Sequence, residues 1–487
     1  MGRAPFVGIH VRSDARRIGA AELVEAVVRE HAAGRLPAGS RLPPVRVLEQ
    51  QYGLSKNTAQ VAYDELVARG VAVAREREGV FIAEPPAAAR RGDDLRGDLR
   101  ADVDDAAAPP LPQLRPPPVM GTGAPRGGLA MGNVFIDPDL LPAERLAECT
   151  RAVLRQPGLA NIYDPQGYPP LRRAIAARLA ARGIDVDADS IIVTTGSQQA
   201  LDLVARSLEI RRVAIETPVY AYAKLLFESL GLQLTGLPLD PFAGLDLAAW
   251  DRALAAGRPG LLYAISSFHN PTGYSYTTGE LMAVLELARR HQVAILEDDW
   301  GSDMLSGSEY RPMLRLLGGE HVLYVNSFTK KLLPSMRVGF LAAHPSLVPS
   351  LLAAKRLATL GNVWLSEAVV AEFLERGYYD GHLAALQQEL DARYRACLAA
   401  LDELMPPGVR WTRPGGGPTL WLEVPRTIDL DELERRLARR EVWIDNRTAA
   451  FLGVPHLHGF RIGFAWLPSE RLRGGLEIIA DTLRALL

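Results

Sequence analysis

The stretch VLYVNSFTKKLLPSMRVGF (322–340) joins an apolar run typical of a buried strand to a short polar turn. Ser327, Thr329 and Lys330 stand on this turn, and Arg337 follows the lysine by seven residues. Hydroxyl groups and arginine bind the dianion of a phosphate, and a lysine in a closed site loses its proton and becomes a nucleophile. An isolated lysine is usually just a solvated charge. These neighbours instead predict a site where a lysine lies beside a bound phosphate.

Similar apolar runs recur in this part of the chain. Helix-length segments such as LMAVLELARRH (281–291) separate most of them, and this alternation predicts a doubly wound, mostly parallel α/β sheet. The other runs are IIVTT (191–195), VAIE (213–216), LLYAIS (261–266) and VAILED (293–298). From about residue 349 the chain is helix-rich with few short strands, which predicts a smaller α+β subdomain.

Polar residues at the ends of these strands add to the predicted site. In TTGSQQ (194–199) a turn at Gly196 opens a helix whose first amides, with the Ser197 hydroxyl, suit an anion. In LEDD (296–299) a carboxylate suits a protonated pyridine nitrogen, and in HNPTG (269–273) the Asn270 amide suits a phenolate oxygen. Each motif alone is also a common turn or helix cap, so their weight comes from occurring together.

The first eighty or so residues predict a separate winged helix-turn-helix. Apolar residues at helical spacing predict the first helix, Ser55 is the predicted N-cap of the third, and Gly70 closes it. The three helices and a final hairpin cover 19–33, 44–52, 55–70 and 71–83.

The start of the third helix carries short polar and basic side chains suited to base edges and phosphates. Arginines at the preceding turn, the second helix and the hairpin add positive charge. The predicted DNA-binding residues are Arg41, Arg46, Ser55, Lys56, Asn57, Thr58 and Arg75, with Arg77 also at the hairpin tip. The alternative hypothesis is a small helical docking domain with a solvated charge pattern.

Composition places a linker between these parts. Residues 84–128 combine proline at both ends with alternating charges and almost no large apolar residues, so they cannot bury enough surface to offset ordering entropy. The predicted organisation is therefore a DNA-binding domain at 1–83, a linker at 84–128 and a large domain at 129–487.

The whole chain of 487 residues has 48% hydrophobic and 23% charged residues, which excludes a disordered or fibrous protein. Its net charge of −2 excludes a global basic field, so DNA binding must come from a local patch. Cys149 and Cys397 match no metal or redox spacing, and no metal site is predicted. No apolar stretch approaches a membrane span and no signal peptide precedes the first domain, so we expect a cytoplasmic protein.

Two resemblances sharpen these expectations. GRLPAGSRLPPVRVL (34–48) and SKNTAQVAYDELVARG (55–70) resemble the GntR-type winged helix. Residues 129–487 resemble fold-type I, aspartate-aminotransferase-like enzymes, which bind pyridoxal 5′-phosphate. Their order in one chain resembles the MocR family of bacterial transcription regulators.

The resemblance implies a role for each site residue. Lys330 is similar to the lysine that bonds the cofactor, Asp298 to the partner of its pyridine nitrogen, and Arg461 to the arginine that binds a substrate carboxylate. Tyr220 is similar to the residue that stacks on the pyridine, and Tyr163 to one that reaches a neighbouring subunit's phosphate in a homodimer. The remaining cofactor-binding residues that it implies are Ser197, Gln198, Asn270, Ser327, Thr329 and Arg337.

Two departures bear on function. The hairpin tip is REREG, where the winged-helix family often has glycines, and Trp300 stands where close relatives usually place a tyrosine whose hydroxyl contacts the cofactor. Efficient transamination is therefore in doubt.

The resemblance implies a regulator that binds double-stranded DNA and senses an amine, an amino acid or the cofactor itself. The alternative is a pyridoxal-phosphate-dependent aminotransferase, or a related amino-acid enzyme, with a vestigial DNA module. The site residues do not separate the two, because both need them. The sequence leaves open the effector, the operator and whether binding activates or represses.

Overall fold

The computed structural model describes residues 6, 8–9, 19–75, 78–84, 127–156, 164–209, 211–304, 313–444 and 448–487. The chain divides into two compact units, Met1–Arg115 and Pro116–Leu487. Tyr163, Arg77 and most of the predicted linker lie outside the described residues, so those expectations remain predictions. Within the described ranges, no helix is long and apolar enough to cross a membrane.

The first unit contains three helices followed by an antiparallel hairpin, in the predicted order. Their bounds are α1 (Ala20–Ala32), α2 (Val45–Tyr52), α3 (Lys56–Ala68), β1 (Ala72–Arg75) and β2 (Gly79–Ile82). Pro44 precedes α2 as its N-cap, and Gly70 follows α3 with a φ of +70°. That conformation favours glycine and ends the helix. Leu23, Leu48 and Leu66, one from each helix, are fully buried together in the core.

The second unit is a three-layer α/β structure with a smaller lobe. Its helices are α4 (Ala143–Leu154), α5 (Pro169–Ala181), α6 (Ser197–Arg206), α7 (Ala221–Ser229), α8 (Leu247–Gly257), α9 (Thr278–His291), α10 (Leu314–Gly318), α11 (Val348–Thr359), α12 (Trp364–Glu375), α13 (Tyr378–Leu404), α14 (Leu430–Arg439) and α15 (Ser469–Arg484). Its strands are β3 (Leu129–Ala130), β4 (Ile191–Thr194), β5 (Arg212–Thr217), β6 (Gln233–Asp240), β7 (Gly244–Leu245), β8 (Leu261–Ala264), β9 (Ala294–Asp299), β10 (Val322–Ser327), β11 (Gly339–Ala342), β12 (Arg410–Trp411), β13 (Thr419–Glu423), β14 (Val442–Trp443) and β15 (Gly459–Gly463).

The main sheet has eight strands in the order β4-β11-β10-β9-β8-β5-β6-β7. Strands β6, β5, β8, β9 and β10 run parallel, which confirms the predicted mostly parallel sheet. Strand β11 runs antiparallel to both neighbours and was not predicted. Only the eleven residues 328–338 join β10 to β11, and a parallel return needs a crossover of about a dozen residues or more. This connection contains a short 3-10 turn and no crossover helix, which suits an antiparallel return.

This topology gathers the predicted site. Because β11 is antiparallel to both β10 and β4, strands β10 and β4 run in the same direction, which is also that of β9 and β8. Their carboxyl ends therefore lie at one edge of the sheet, where ligands of open α/β sheets bind.

The smaller lobe is built on the antiparallel sheet β12-β13-β15, covered by α13, α14 and α15. It agrees with the predicted α+β subdomain except at one strand. Strand β3, from the start of the unit, pairs in parallel with β14 near its end. This short strand was not predicted, because two residues carry no periodic signal.

Candidate functional site

Asp298 lies at the end of β9 with one carboxylate oxygen unused. Its Oδ2 accepts a hydrogen bond from Tyr263 Oη at 2.8 Å, while its buried Oδ1 has no hydrogen-bond partner among the described residues. Burial, opposed by the Tyr263 hydrogen bond, raises the pKa of Asp298 to about 6. A buried polar atom without a partner is uncommon. A protonated pyridine nitrogen would supply both the donor and the positive charge that Oδ1 lacks.

The two neighbouring carboxylates are already satisfied. Asp299 accepts hydrogen bonds from Tyr324 Oη at 2.5 Å and from the Ser302 amide at 2.9 Å. Glu297 accepts from the first two backbone amides of α10, at 2.9 and 2.7 Å. Of the three acidic residues in this run, only Asp298 has an unused buried oxygen, so it alone suits a ligand.

Lys330 lies partly buried just beyond β10, with two aromatic rings beside its amino group. Its Nζ is 4.6 Å from the centroid of the Phe135 ring and 5.0 Å from that of the Trp300 ring. Burial, then the positive charge of Arg461, lowers the pKa of Lys330 to about 7, with the Asp298 charge opposing this shift. A lysine with this pKa carries a large neutral fraction near pH 7, which a nucleophile requires.

The adjacent Lys331 has a different role. It is fully buried, and its Nζ donates to both oxygens of Asp303, at 2.9 and 3.0 Å, and to Asn326 Oδ1 at 2.7 Å. All three of its protons are used, so Lys331 stabilises the fold and Lys330 is the lysine that faces the site.

The predicted phosphate ligands lie together where β4, β11 and β10 adjoin. Arg337 has a φ of 53°, and its Nη2 donates to Thr195 O at 2.8 Å. The same guanidinium covers Gly196, where a Cβ would lie 2.6 Å from Nη2, and the φ of +84° at this residue favours glycine. Ser327 Oγ donates to Thr329 Oγ1 at 2.8 Å on the facing turn.

Ser197 and Gln198 open α6 directly after this glycine. The first amides of a helix attract anions. Gln198 Nε2 donates to Tyr222 O at 3.3 Å, while its buried Oε1 has no hydrogen-bond partner within the described part of the chain. The N-terminus of α6 thus completes a cup of hydroxyl, guanidinium and amide groups.

Arg461, on β15, and Asn270 are in direct contact. Arg461 Nη1 donates to Asn270 Oδ1 at 2.6 Å, and its Nε and Nη2 donate to Gly132 O at 3.0 and 2.8 Å. Because the Asn270 oxygen is the acceptor here, its amide nitrogen is the donor expected for a phenolate oxygen. The contact with Gly132 was not predicted, since no motif signals a backbone carbonyl 329 residues away in sequence.

Trp300 and Tyr220 complete the described site. The Trp300 indole nitrogen donates to Phe268 O at 3.0 Å, so the indole proton is used by the backbone. Tyr220 precedes α7, and burial together with the nearby Asp298 charge raises its pKa. Tyr263 and Phe135 contact the predicted residues but were missed, because strand alternation and an isolated aromatic residue carry no functional signal.

The predicted DNA-binding residues all lie in the first unit. Ser55 is confirmed as the N-cap of α3, since its Oγ accepts from the Thr58 amide at 3.1 Å. Lys56 and Asn57 are exposed on the first turn, and Arg46 is exposed on α2.

Arg75 lies on the hairpin, and Arg41, on the turn before α2, contacts it. The Arg75 guanidinium lies 4.6 Å from the centroid of the Phe81 ring. Arg41 bridges to the backbone of Phe81, and a Cβ at Gly79 would lie 3.3 Å from Arg41 Nε. The structure thus places cationic groups on both the helical and the hairpin parts of this unit.

The residues of the second unit fit pyridoxal 5′-phosphate. Asp298 has an unused oxygen for a pyridine N–H, Gly196 and Arg337 form an anion cup, and Lys330 has a lowered pKa. The cofactor supplies an aldehyde and, when its ring is protonated, an electron sink.

Comparison with known proteins gives matches in both units. Residues 128–479 match the family of class I and II aminotransferases, and residues 20–82 match the bacterial regulatory proteins of the gntR family. The 2-aminoadipate transaminase of Thermus thermophilus is 33% identical over 74% of this chain and 91% of its own. The crystal structure of an α-aminoadipate aminotransferase from Thermus thermophilus, complexed with N-(5′-phosphopyridoxyl)-L-leucine, is 32% identical with a TM-score of 0.69. That similarity covers 74% of this chain and 93% of the solved one.

Other relatives match both units. The uncharacterised HTH-type transcriptional regulator YisV of Bacillus subtilis is 27% identical over 93% of each chain. The probable rhizopine catabolism regulatory protein MocR of Rhizobium meliloti is 27% identical over 96% of this chain and 94% of its own.

Proposed function

The chain belongs to the class I and II aminotransferase family, and we propose that it is a pyridoxal 5′-phosphate-dependent transcription regulator of MocR type. It binds DNA through its first unit and senses an amino acid or related amine at Lys330. The observation that carries this proposal is the exposed polar start of α3, because an aminotransferase reaction has no use for it.

In this proposal the cofactor is held by four groups of residues. Asp298 keeps the ring nitrogen protonated, because the ion pair favours the charged form of both partners. The cup at Ser327, Thr329 and Arg337, with Ser197 and Gln198 at the start of α6, binds the phosphate. Lys330, about half of which is neutral near pH 7, would supply the amine nucleophile that an aldehyde requires. The Tyr220 ring would stack on the pyridine.

Arg461 binds the carboxylate of the sensed amino acid. A guanidinium and a carboxylate form two parallel hydrogen bonds. These bonds would add to the contacts that Arg461 makes with Asn270 and Gly132. The ligand-bound site therefore differs from the ligand-free one in defined contacts. Such differential binding is what shifts an equilibrium between DNA-competent and incompetent arrangements.

We further propose that the protein acts as a homodimer in the cytoplasm. Operators of helix-turn-helix dimers are paired half-sites, and Tyr163 is the residue expected to reach the partner's phosphate. A chain that regulates transcription works in the compartment that holds the DNA.

The test follows two signals in one preparation of the full chain. Visible absorbance is recorded during titration with each of the standard amino acids, and a gel shift with the DNA upstream of the protein's own gene is run at the same concentrations. We expect one amino acid to shift both signals. Arg461→Ala should abolish both responses. Arg413→Ala, an exposed arginine paired with Asp402, should leave both intact.

The same experiment addresses the enzyme alternative, which the complete set of Lys330, Asp298 and Arg461 keeps open. Rapid conversion of the amino acid to a keto acid, with DNA affinity unmoved by any ligand, would overturn the proposal. Borohydride reduction followed by peptide mapping checks the site, since Lys330 should be labelled and Lys331 should not.

A further inference from the structure

The exposed face of α3 carries Gln60 and Val61, which take no part in the helix cap. Ser55 Oγ and Thr58 Oγ1 lie 2.8 Å apart and satisfy each other at the start of the helix. The opposite face is buried against α1 and α2 through Ala59, Ala62, Tyr63 and Leu66. The surface that α3 offers to a partner is therefore formed by exposed residues that belong neither to the cap nor to the buried face.

These residues form one compact patch. At about 100° per residue, positions 56, 57, 60, 61 and 64 fall within an arc of roughly 140° on the helix surface. All five side chains are exposed. A major groove admits one α-helix, so this face of α3 can lie against the base edges.

The distribution of charge along α3 indicates that its first half contacts the bases. Lys56 stands on the first turn, whereas Asp64 and Glu65 stand on the third. Arg69 neutralises Glu65, with Nε 2.8 Å from Glu65 Oε1. Because phosphates repel carboxylates, the first two turns approach the DNA most closely, as the N-terminal residues of recognition helices do.

The amide of Gln60 is held in a defined orientation. Its Nε2 donates to Asp64 Oδ1 at 2.9 Å. An ionised carboxylate only accepts hydrogen bonds, so the amino group of Gln60 must face Asp64. Gln60 then presents one remaining N–H and its Oε1 carbonyl side by side. Adenine offers the matching pair in the major groove, the N7 acceptor and the N6 donor, whereas guanine offers two acceptors there.

Val61 adds an apolar contact beside this amide. Its side chain is 58% exposed on an otherwise polar surface, so the folded unit gains little from it. The 5-methyl group of thymine is the apolar feature of the major groove, and small apolar side chains contact it. Adjacent residues on the helix thus match the two partners of A·T pairs.

We propose that Gln60 reads adenine and Val61 contacts thymine in an A·T step of the operator, with Asp64 as the positioning residue for Gln60. This inference rests on the proposed DNA-binding function. It also assigns Ser55 and Thr58 to helix capping, and leaves phosphate contact to Lys56.

The experiment selects binding sites from a randomised DNA library with the intact full-length chain and each variant. We expect Gln60→Ala to lose its preference at one base pair by about 5- to 150-fold, the range for one bidentate contact. Asp64→Ala should relax the same base pair without weakening overall binding, because it frees the amide and removes a negative charge. Val61→Ala should relax only a thymine preference.

Val67→Ala is the matched control, because Val67 is an exposed valine of the same helix, about 9 Å further along its axis. It should leave every base preference intact. All variants should have the melting temperature of the wild-type protein, because the substituted side chains are exposed. Enrichment of no sequence by the wild-type chain would contradict the proposed function itself. A selected sequence that Gln60→Ala and Val61→Ala leave unchanged would keep that function and overturn this inference.

Discussion

The lowered pKa of Lys330 predicts how the cofactor-free protein captures pyridoxal 5′-phosphate. Only the neutral amine attacks the aldehyde, so the capture rate should rise with pH through about 7 and then level off. Arg461 lowers this pKa and Asp298 raises it. Arg461→Gln should therefore move the midpoint to higher pH, and Asp298→Asn should move it to lower pH.

The magnitude follows from the neutral fraction. At pH 7.4 an amine with a pKa of about 7 is roughly 70% neutral, whereas one at the ordinary 10.5 is about 0.1% neutral. The site thus offers roughly 900-fold more of the reactive form. Loss of the Arg461 charge should reduce the neutral fraction of Lys330 and therefore slow cofactor capture at neutral pH. The capture rate on the plateau at high pH should change less.

The assay is stopped-flow absorbance after mixing cofactor-free protein with pyridoxal 5′-phosphate, across about pH 5.5 to 9.5. A midpoint is independent of amplitude, so weaker cofactor binding in a variant does not hide the shift. A wild-type midpoint near 10, or two variants that shift in the same direction, would refute the electrostatic account.

Three further predictions concern single side chains. Asp299→Asn should lower the melting temperature more than Asp298→Asn, because Asp299 accepts several buried hydrogen bonds, each to a charged group worth about 1.5–3 kcal/mol; equal thermal shifts would contradict this. Trp300→Tyr should speed turnover of an amino acid to its keto acid, measured by product formation, because it supplies the missing phenol. Lys56→Ala should reduce the log–log salt slope of operator binding by about 0.9, as expected for one lost phosphate contact. An unchanged slope would exclude Lys56 as that contact.

Much of the fold can be predicted from the sequence, because strand and helix patterns alternate over long segments. Strand β10 has the predicted bounds, and the other predicted strands differ at their ends by one or two residues. Strand β11 was missed, because its four residues follow a turn rather than a helix. The pairing of β3 with β14 was also missed. Such long-range contacts depend on packing, which no local pattern encodes.

The roles of individual site residues are harder to predict from the sequence than the fold. Motifs predicted which segments meet at the sheet edge, and the resemblance singled out Lys330 and Asp298, but the local pattern gives no physical reason to prefer them to their neighbours. Lys330 and Lys331, like Asp298 and Asp299, differ only in whether buried partners already use their hydrogen-bonding groups. That difference depends on distant residues such as Asp303 and Tyr324, and therefore on the folded structure.

Asn270 gives the proposed sensor a physical link between ligand and cofactor. Its oxygen accepts from Arg461 in the ligand-free site, and its amide nitrogen is the expected donor to the cofactor's ring oxygen. A ligand carboxylate bound by Arg461 would compensate the charge of the guanidinium and so weaken the charge-assisted hydrogen bond that Asn270 accepts. A change at this bond would also alter the contact of Asn270 with the cofactor. A ligand lacking a carboxylate leaves the Arg461–Asn270 pair intact and so cannot produce this change. Amino acids, rather than simple amines, are therefore the effectors that this geometry favours.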